Sequence, residues 1–403
     1  MFIRLTLLTL ALLRSTAAFL PSGTVSFIRQ RIRSLSPSPP LSSTITDHVT
    51  THAMSPEAMA AMDSVIAKVS AQIPDQPKTQ QMLSHFIQEY FVACDVGGQP
   101  SEMTAEKIAS AIQFGMKYGM GEDKYTFGVS HEALREPFDY YTWGCDFFRP
   151  TMDLSNSVVL GDENLKEAFR QVAAGENVVF LANHQSEADP QVFSLLLEKV
   201  GLGEEAAQVR YIAGHKVTTD PLAIPFSMGR NLLCIHSKKH IDADPETKPA
   251  KQKQNLQTMS AMLKIMRKGG ASLWVAPSGG RDRRDVSVSL SEPPSIPIAP
   301  FDSKTVDMFR LMGNKSKVPT HFYPLAMVSY ELCPPPDTIE AGVGERRNVR
   351  YSPIGIAVGK EVPNVGGLEC RHAFTEHAQE EVQGGYKQLV ENIRENVPFR
   401  CAA

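Results

Sequence analysis

Residues 177–190 read NVVFLANHQSEADP, an apolar run that passes directly into a polar turn and then a proline. The apolar run is typical of a buried strand, and Pro190 fits the first turn of a helix. His184 and Asp189 lie in the turn between them. On a continuous helix, residues five apart point about 140° away from each other, so these two side chains can meet only in a loop. The strand-to-helix junction supplies that loop.

Further short apolar runs follow along the chain, separated by stretches with helical periodicity. This alternation predicts an α/β domain over residues 146–403, with a mixed sheet flanked by helices. The expected strands are residues 177–182, 209–213, 232–236, 272–276 and 322–328, and the expected helices include residues 190–200 and 256–268.

The region before this domain has the residue pattern of helices without intervening strands. Apolar residues recur with helical spacing from Ser55 onward, where Ser55 and Pro56 form a helix-start signal. Three amphipathic stretches follow one another, and we expect a fourth helix near residues 130–141. Residues 55–145 are therefore predicted to form a small N-terminal helical bundle.

The first 54 residues are predicted to be a targeting region. Residues 1–18 combine an early arginine, a short apolar stretch and small residues, as in a cleavable signal peptide. Residues 19–54 are rich in Ser, Thr, Pro and Arg, as in a transit segment. The Ala18-Phe19 junction resembles that of plastid presequences in algae with secondary plastids, which implies the plastid stroma. Plain secretion is the alternative, and six cysteines without CxxC spacing argue against it.

Composition excludes several classes of protein. The chain has 403 residues, a formal net charge of −3 and 21% charged residues, so bulk charge gives no argument for nucleic-acid binding. After the N-terminus no uncharged apolar run reaches the roughly 18 residues of a membrane span, and we expect no integral span.

The turn at residues 183–190 carries the chemistry. A histidine can take a proton from an attacking hydroxyl, and a carboxylate on its other ring nitrogen fixes the tautomer and stabilises the imidazolium. This predicts His184 as a general base and Asp189 as its partner. Two plainer interpretations stay open: Asp189 as an ordinary helix N-cap and His184 as a structural histidine. The chain has no GxSxG motif, which disfavours a serine nucleophile.

Two basic clusters follow predicted strands. Glycine lets backbone N–H groups approach an anion, and arginine offers a planar fork to phosphate oxygens. Because ligands of α/β proteins bind beyond the carboxyl ends of the strands, these clusters predict a phosphate site. The candidate residues in the two clusters are Arg230, Lys239, His240, Gly279, Gly280, Arg281 and Arg283.

Four blocks resemble the soluble plastid glycerol-3-phosphate acyltransferases, which carry a His-x4-Asp signature. The blocks are NHQSEADP at 183–190, FSMGRNLLCIHSKKH at 226–240, WVAPSGGRDR at 274–283 and FYPLAM at 322–327. The resemblance implies that His184 is the catalytic base and Asp189 its orienting carboxylate. It also implies that Lys239, His240, Arg281 and Arg283 hold the phosphate of glycerol 3-phosphate.

The activity implied by the resemblance is transfer of an acyl chain to the sn-1 hydroxyl of glycerol 3-phosphate. The donor is an acyl carrier protein or coenzyme A thioester, the product is 1-acyl-glycerol 3-phosphate, and neither a cofactor nor a metal is expected. Peripheral membrane contact for product release also fits. An acidic carrier protein could dock electrostatically on basic side chains, against the plainer interpretation of a solvated helix start; the candidates are Lys238, Lys248, Lys251 and Lys253.

Three alternatives remain at this stage. Methionine and leucine at 259, 262, 263 and 266 could line an acyl groove, although such spacing more often marks core. Another glycerolipid acyltransferase, such as a lysophosphatidate acyltransferase, would share the first block. A metal-dependent phosphate-ester hydrolase could use His184, Asp189, His236 and His240 as ligands, but HSKKH lacks the Glu of HExxH.

Overall fold

An eight-stranded mixed sheet forms the centre of the protein, and its strand order is β1-β5-β4-β6-β3-β7-β8-β2. The computed structural model describes residues 54–122, 124–284, 296–336 and 346–396. The strands are β1 (Ser130–His131), β2 (Val158–Leu160), β3 (Asn177–Ala182), β4 (Arg210–Gly214), β5 (Asn231–Ile235), β6 (Ser272–Val275), β7 (Thr320–Val328) and β8 (Gly355–Val358). The predicted fold class, a mixed sheet flanked by helices, is confirmed. The predicted signal peptide and all but the last residue of the predicted transit segment lie outside the described residues.

Helices cover the sheet and precede it. They are α1 (Pro56–Gln72), α2 (Pro77–Val96), α3 (Ser101–Gly115), α4 (Tyr140–Phe148), α5 (Asp162–Ala173), α6 (Asp189–Lys199), α7 (Gly203–Gln208), α8 (Ile224–Met228), α9 (Lys238–Asp242), α10 (Lys248–Lys268), α11 (Ser303–Ser316) and α12 (Arg371–Asn396). Within the described residues, no helix combines the length and the apolar character that crossing a membrane would require.

The first three helices pack on one another, as the amphipathic spacing predicts. Ser55 caps α1 by accepting a hydrogen bond from the backbone of Ala58 at 3.1 Å. Buried residues of α1 to α3 share one apolar cluster with α6 and with the sheet. The helices therefore lie against the α/β core rather than apart from it, within a compact unit that spans residues 51–403.

The helix expected near residues 130–141 is wrong. Ser130 and His131 pair with β5 in antiparallel register, and the segment from there to Asp139 has no helix. Pro137 explains much of this, because proline lacks an N–H donor and disfavours helical backbone at the residue before it. The helix begins only at Tyr140, where Asp139 accepts hydrogen bonds from two backbone N–H groups of the first turn.

Strand β3 shows why the centre of the sheet is so apolar. Its two neighbours, β6 and β7, both run parallel to it, and all six of its residues are buried. Side chains alternate across a strand, so Val178 and Phe180 join one apolar cluster while Val179 and Leu181 join the other. A strand covered by helices on both faces is expected to be apolar, and β3 is apolar from Val178 to Ala182, while the buried Asn177 amide donates to the Met266 carbonyl at 2.9 Å.

The parallel strands set the position of the functional residues. Strands β5, β4, β6, β3 and β7 all run in the same direction, so their carboxyl ends meet along one edge. The chain leaves that edge at His236, His215, Ala276, Asn183 and Ser329, respectively. We call it the carboxyl edge.

Candidate active site

His184 and Asp189 meet at the carboxyl edge, in the loop after β3. The Nδ1 atom of His184 lies 2.7 Å from Oδ2 of Asp189. The histidine side chain is 27% exposed, whereas the aspartate is completely buried. The loop geometry thus achieves the contact that a continuous helix would prevent.

The carboxylate of Asp189 is surrounded by donors from residues that precede it. It accepts hydrogen bonds from the backbone N–H groups of Gln185 at 2.9 Å and Ser186 at 3.1 Å, and from the Ser186 hydroxyl at 3.1 Å. The hydroxyl of Ser329, at the end of β7, also donates to it. An N-cap would accept from residues that follow it, and α6 has no side-chain cap, so the N-cap interpretation is wrong.

The charges of the pair are set by this environment. Burial raises the pKa of Asp189, but the hydrogen bonds from His184, Ser329 and Gln185 outweigh it and hold the pKa below its ordinary value. The carboxylate is therefore ionised and accepts the Nδ1 proton of His184. The lone pair of the ring is then on Nε2, the tautomer that a general base requires. The ring also packs edge-on against Trp274, with centroids 5.7 Å apart.

Two amides next to the pair fix the loop to β7. Asn183 accepts from the Met327 backbone N–H at 2.7 Å and donates to the Met327 carbonyl at 3.1 Å. The Gln185 carbonyl oxygen accepts from the N–H groups of Ser329 at 2.9 Å and Tyr330 at 3.1 Å. The ends of two neighbouring strands are thereby joined on both sides of His184, which limits how far its ring can move.

Asp282 connects the arginine segment to the same loop. Its backbone N–H donates to the His184 carbonyl, and its buried carboxylate accepts from the Asn183 amide at 3.1 Å and from the Ala299 N–H at 2.9 Å. Burial raises the pKa of Asp282 to about 6, and the two donors only partly offset that shift. The flanking residues Arg281 and Arg283 are therefore held beside the turn that carries His184.

Arg281 lies next to Glu187, which belongs to the His184 turn. Both residues line a small cleft together with Arg347 and Cys333. Burial raises the pKa of Glu187, but Arg347 and Arg281 overcome it and lower the pKa below its ordinary value. Arg347 donates to Glu187 at 2.6 Å and also to Asp220 at 2.8 Å. The structure thus brings Arg281 to the predicted site.

The other residues of the third sequence block are placed less simply. Arg283 donates from Nη1 to the backbone carbonyl of Pro336 at 2.6 Å, so part of its guanidinium is already occupied. Gly279 and Gly280 are exposed, and Gly279 adopts a φ of +71° that favours glycine. The Gly279 N–H donates to the Ala276 carbonyl at 3.0 Å, which closes the turn rather than facing a ligand.

Lys239 and His240 lie in α9, after β5. In strand order β5 is three steps from β3, which corresponds to roughly 14 Å between strand axes. The His240 ring stacks on that of His215, with centroids 4.3 Å apart. Arg281 and Arg283 follow β6, the immediate neighbour of β3, so they lie nearer to His184 in strand order than Lys239 and His240 do.

The structure does not bring Arg230 to this site. Arg230 precedes β5, at the opposite end of the strand, and is only 3% exposed. Its guanidinium donates to the Ser194 hydroxyl at 2.6 Å, contacts the Cys145 sulfur at 3.3 Å and stacks over the Tyr141 ring at 4.7 Å. A basic residue beside a glycine suggested anion binding, but this one supports the core.

The candidate docking and groove residues also find plain roles. Lys248 pairs with Asp242 at 2.8 Å, and Lys251 donates to the His240 carbonyl at 3.0 Å. Met262 and Met266 are buried in the second apolar cluster, and Met259 and Leu263 pack against it. The core interpretation of this methionine and leucine stretch is confirmed.

The metal-ligand set considered for a hydrolase does not assemble. In the part of the chain that the structure describes, the group of at least three His, Cys, Asp or Glu side chains close enough to share a metal ion is His215, His236 and His240. It contains neither His184 nor Asp189.

Sequence reasoning missed several residues that shape the site. Ser329, Gln185 and Asp282 all contact the His184 loop or its carboxylate. Ser329 and Asp282 are each separated from the loop by about a hundred residues or more. The signal that could have found them is their position directly after predicted strands, where β7 and β6 end.

Known proteins show what the chain is similar to. Residues 157–328 match the family model described as acyltransferase. The chain is 43% identical over 243 residues to the chloroplastic glycerol-3-phosphate acyltransferase of Arabidopsis thaliana. The matched region is 60% of this chain and 51% of that protein. It is 39% identical over 272 residues to the chloroplastic glycerol-3-phosphate acyltransferase of Spinacia oleracea, covering 67% of this chain and 55% of that protein.

The chain therefore spans about half the length of the curated relatives it matches. The resemblance predicted from the four sequence blocks is confirmed. A crystal structure of the 1-acyl-sn-glycerophosphate acyltransferase PlsC from Thermotoga maritima matches with a TM-score of 0.36 and 16% identity, over 62% of this chain and 78% of that one. A likeness of that size supports no conclusion about this chain.

Proposed function

We propose that this protein transfers an acyl chain to the sn-1 hydroxyl of glycerol 3-phosphate, giving 1-acyl-glycerol 3-phosphate. The observation that carries the proposal is the His184 to Asp189 contact of 2.7 Å, on a loop whose backbone is bonded to the arginine segment at Asp282. A proton acceptor and anion-binding side chains therefore lie side by side at the carboxyl edge. The names of the similar proteins point to the same substrate.

The chemistry follows from the tautomer of His184. Nε2 takes the proton of the sn-1 hydroxyl while the hydroxyl oxygen attacks the thioester carbonyl carbon. A carbon–oxygen bond forms, the carbon–sulfur bond breaks, and the proton passes from the imidazolium to the leaving thiolate. Asp189 remains ionised throughout and stabilises the imidazolium, so the rate gain from proton transfer can reach about 10²- to 10⁴-fold.

The phosphate supplies the orientation that this step needs. In this proposal Arg281 and Arg283 hold the phosphate dianion beside the His184 turn, and Lys239 and His240 of α9 are its further ligands. Fixing two substrates in reacting geometry contributes on the order of 7 to 11 kcal/mol at best. Both arginines follow β6, the immediate neighbour of β3, and we assign phosphate binding to the two together.

The acyl donor is an acyl carrier protein or coenzyme A thioester. An acidic carrier protein would meet the basic start of α10, where Lys248, Lys251 and Lys253 lie. Lys248 is already paired with Asp242, which reduces its charge toward a partner. The Lys251 amine is bonded to the His240 carbonyl, so docking is expected to depend most on the exposed Lys253.

The proposed compartment is the plastid, and within it the stroma. The similar proteins are described as chloroplastic, and the composition of residues 1–54 supports a bipartite targeting region of a secondary-plastid alga. The proposed product is a lipid, so peripheral contact with a membrane during its release is part of the proposal.

The test is an assay of the purified chain with labelled glycerol 3-phosphate and acyl carrier protein or acyl-coenzyme A thioesters, with each substrate omitted in turn. The expected result is acyl transfer that requires both substrates, with the label in the sn-1 ester. A parallel assay offers lysophosphatidate as acceptor. Activity with lysophosphatidate and none with glycerol 3-phosphate would replace this proposal with the lysophosphatidate acyltransferase alternative.

A further inference from the structure

Three histidines form a compact cluster at the carboxyl edge, away from His184. His215 follows β4, His236 follows β5, and His240 lies in α9. One ring nitrogen of each lies within 4.8 Å of the others. The ring centroids are 4.3 Å apart for His215 and His240, 5.0 Å for His215 and His236, and 5.3 Å for His236 and His240.

His236 is the fixed member of this cluster. It is only 9% exposed, and its backbone N–H and carbonyl both bond the Asn255 side chain at 2.8 Å. Its Nε2 lies 3.0 Å from the Gln254 carbonyl oxygen, so Nε2 carries the proton and Nδ1 carries the lone pair. That Nδ1 is buried with no hydrogen-bond partner among the described residues. A buried nitrogen lone pair without a partner, in a ring that lies beside two other imidazoles, is short of a donor or a cation.

We propose that His215, His236 and His240 form a binding site for a divalent transition-metal ion such as Zn²⁺. Imidazole nitrogen is a preferred ligand of this class of ion, whereas Mg²⁺ and Ca²⁺ prefer oxygen. The Gln254 contact gives His236 the outer hydrogen bond that metal-bound histidines usually have. Three ligands leave a coordination position for water or another small ligand.

The distances require only a modest closure of the site. A tetrahedral ion with bonds of about 2.0 to 2.1 Å brings its ligand nitrogens to roughly 3.3 Å from one another. The ligand nitrogens of the three histidines now lie within 4.8 Å of one another, so these distances have to decrease by up to about 1.5 Å. His215 in a 3₁₀ turn and His240 in a five-residue helix are both half-buried, so they are the members that can move toward His236.

Among the side chains that the structure describes, the charge of Lys251 opposes the ion. Lys251 acts electrostatically on both His215 and His240, and its amine donates to the His240 backbone carbonyl. A positive charge beside the three imidazoles weakens the binding of a metal ion and would strengthen the binding of an anion. Replacing Lys251 by methionine therefore separates the two ligand classes, because the change shifts their affinities in opposite directions.

The site shares His240 with the proposed phosphate site. A ring nitrogen bound to a metal ion is not available to a phosphate oxygen, so Zn²⁺ is expected to raise the KM for glycerol 3-phosphate. That consequence rests on the proposed function. Metal binding itself does not, and it can be measured without any substrate.

The experiment titrates the metal-free purified protein with Co²⁺ and follows its visible absorption, then displaces Co²⁺ with Zn²⁺. We expect one ion per chain, with affinity lowered at least about tenfold in His215→Ala and in His240→Ala. His377→Ala, an exposed histidine of α12, serves as the matched control and is expected to bind normally. Lys251→Met is expected to bind Co²⁺ more tightly than the wild type.

Several results would overturn the proposal. These are the absence of Co²⁺ binding by the folded wild type, equal binding by the His215 and His240 variants, or weaker Co²⁺ binding by Lys251→Met. Binding of inorganic phosphate without Co²⁺ binding would identify the cluster as an anion site instead. Loss of acyltransferase activity in every preparation, with the Co²⁺ result intact, would overturn the proposed function and leave the metal site standing.

Discussion

Replacing Asp189 by asparagine tests the pairing on which the chemistry depends. The carboxylate accepts five hydrogen bonds, from His184, from Gln185, twice from Ser186 and from Ser329. An asparagine keeps one acceptor oxygen, and its NH₂ group must face at least two of these donors. Opposing buried donors costs about 1 to 3 kcal/mol each, so two of them should cost about 2 to 6 kcal/mol in the free energy of unfolding.

The substitution should also reduce turnover. If the amide NH₂ faces His184, Nδ1 becomes the acceptor and the proton moves to Nε2, the nitrogen that must take the substrate proton. We expect kcat to fall on the order of 10⁴-fold, as in other His–Asp pairs given the wrong tautomer. The assay is steady-state acyl transfer to glycerol 3-phosphate, with urea unfolding to show that the variant is folded.

Ser329→Ala is the matched control for that experiment. It removes one donor to the same carboxylate but leaves the charge and the His184 tautomer in place. We expect kcat to fall less than tenfold, with about 1 kcal/mol lost in the free energy of unfolding. A folded Asp189→Asn protein with kcat within tenfold of the wild type would refute the role assigned to the carboxylate.

Three further changes probe the surroundings of the pair. Arg281→Ala and Arg283→Ala should each raise the KM for glycerol 3-phosphate about 10- to 100-fold with kcat largely kept, and an unchanged KM in both variants would contradict the phosphate site. Asp282→Asn should remove a pH dependence of stability. In the folded protein the Asp282 carboxyl group has a pKa of about 6, so it keeps its proton at pH values where the unfolded chain has lost it. The free energy of unfolding therefore decreases as pH rises from about 4 to 6. In urea unfolding, the wild type should lose about 2 to 3 kcal/mol relative to Asp282→Asn between about pH 4 and pH 7, and parallel pH curves would count against the raised pKa. Arg347→Leu removes the main cationic partner of Glu187, a carboxylate that is 27% exposed and also lies next to Arg281, and should cost about 1 to 3 kcal/mol in the free energy of unfolding, whereas a cost below about 0.5 kcal/mol would show that the ion pair matters little.

The centre of the fold was predictable because its signal is local. Strand β3 has the predicted bounds, and β4 to β7 lie within two residues of theirs, since each contains a short apolar run next to helical segments. The edge strands β1 and β2, and β8 next to β2, are two to four residues long and were not predicted. Their pairing depends on distant neighbours, which a local pattern does not contain.

In the candidate site, too, contacts within one turn could be predicted and contacts between distant segments could not. His184 and Asp189 could be paired from the sequence because they share one short turn. The contacts from Ser329 and Asp282 come from other strands and become visible only once the sheet has brought their ends together. Arg230 failed as a prediction because it precedes β5 and therefore lies at the amino end of that strand, away from the carboxyl edge.

The most direct test of the account is the turnover of His184→Ala, measured with saturating acyl donor and glycerol 3-phosphate, alongside calorimetric binding of glycerol 3-phosphate to the same sample. We expect kcat to fall by at least about 10³-fold, because the proton acceptor is gone. The dissociation constant for glycerol 3-phosphate should stay within about threefold of the wild type, because the arginine segment is intact. A folded His184→Ala protein that keeps a kcat within tenfold of the wild type would contradict the assignment of His184 as the base.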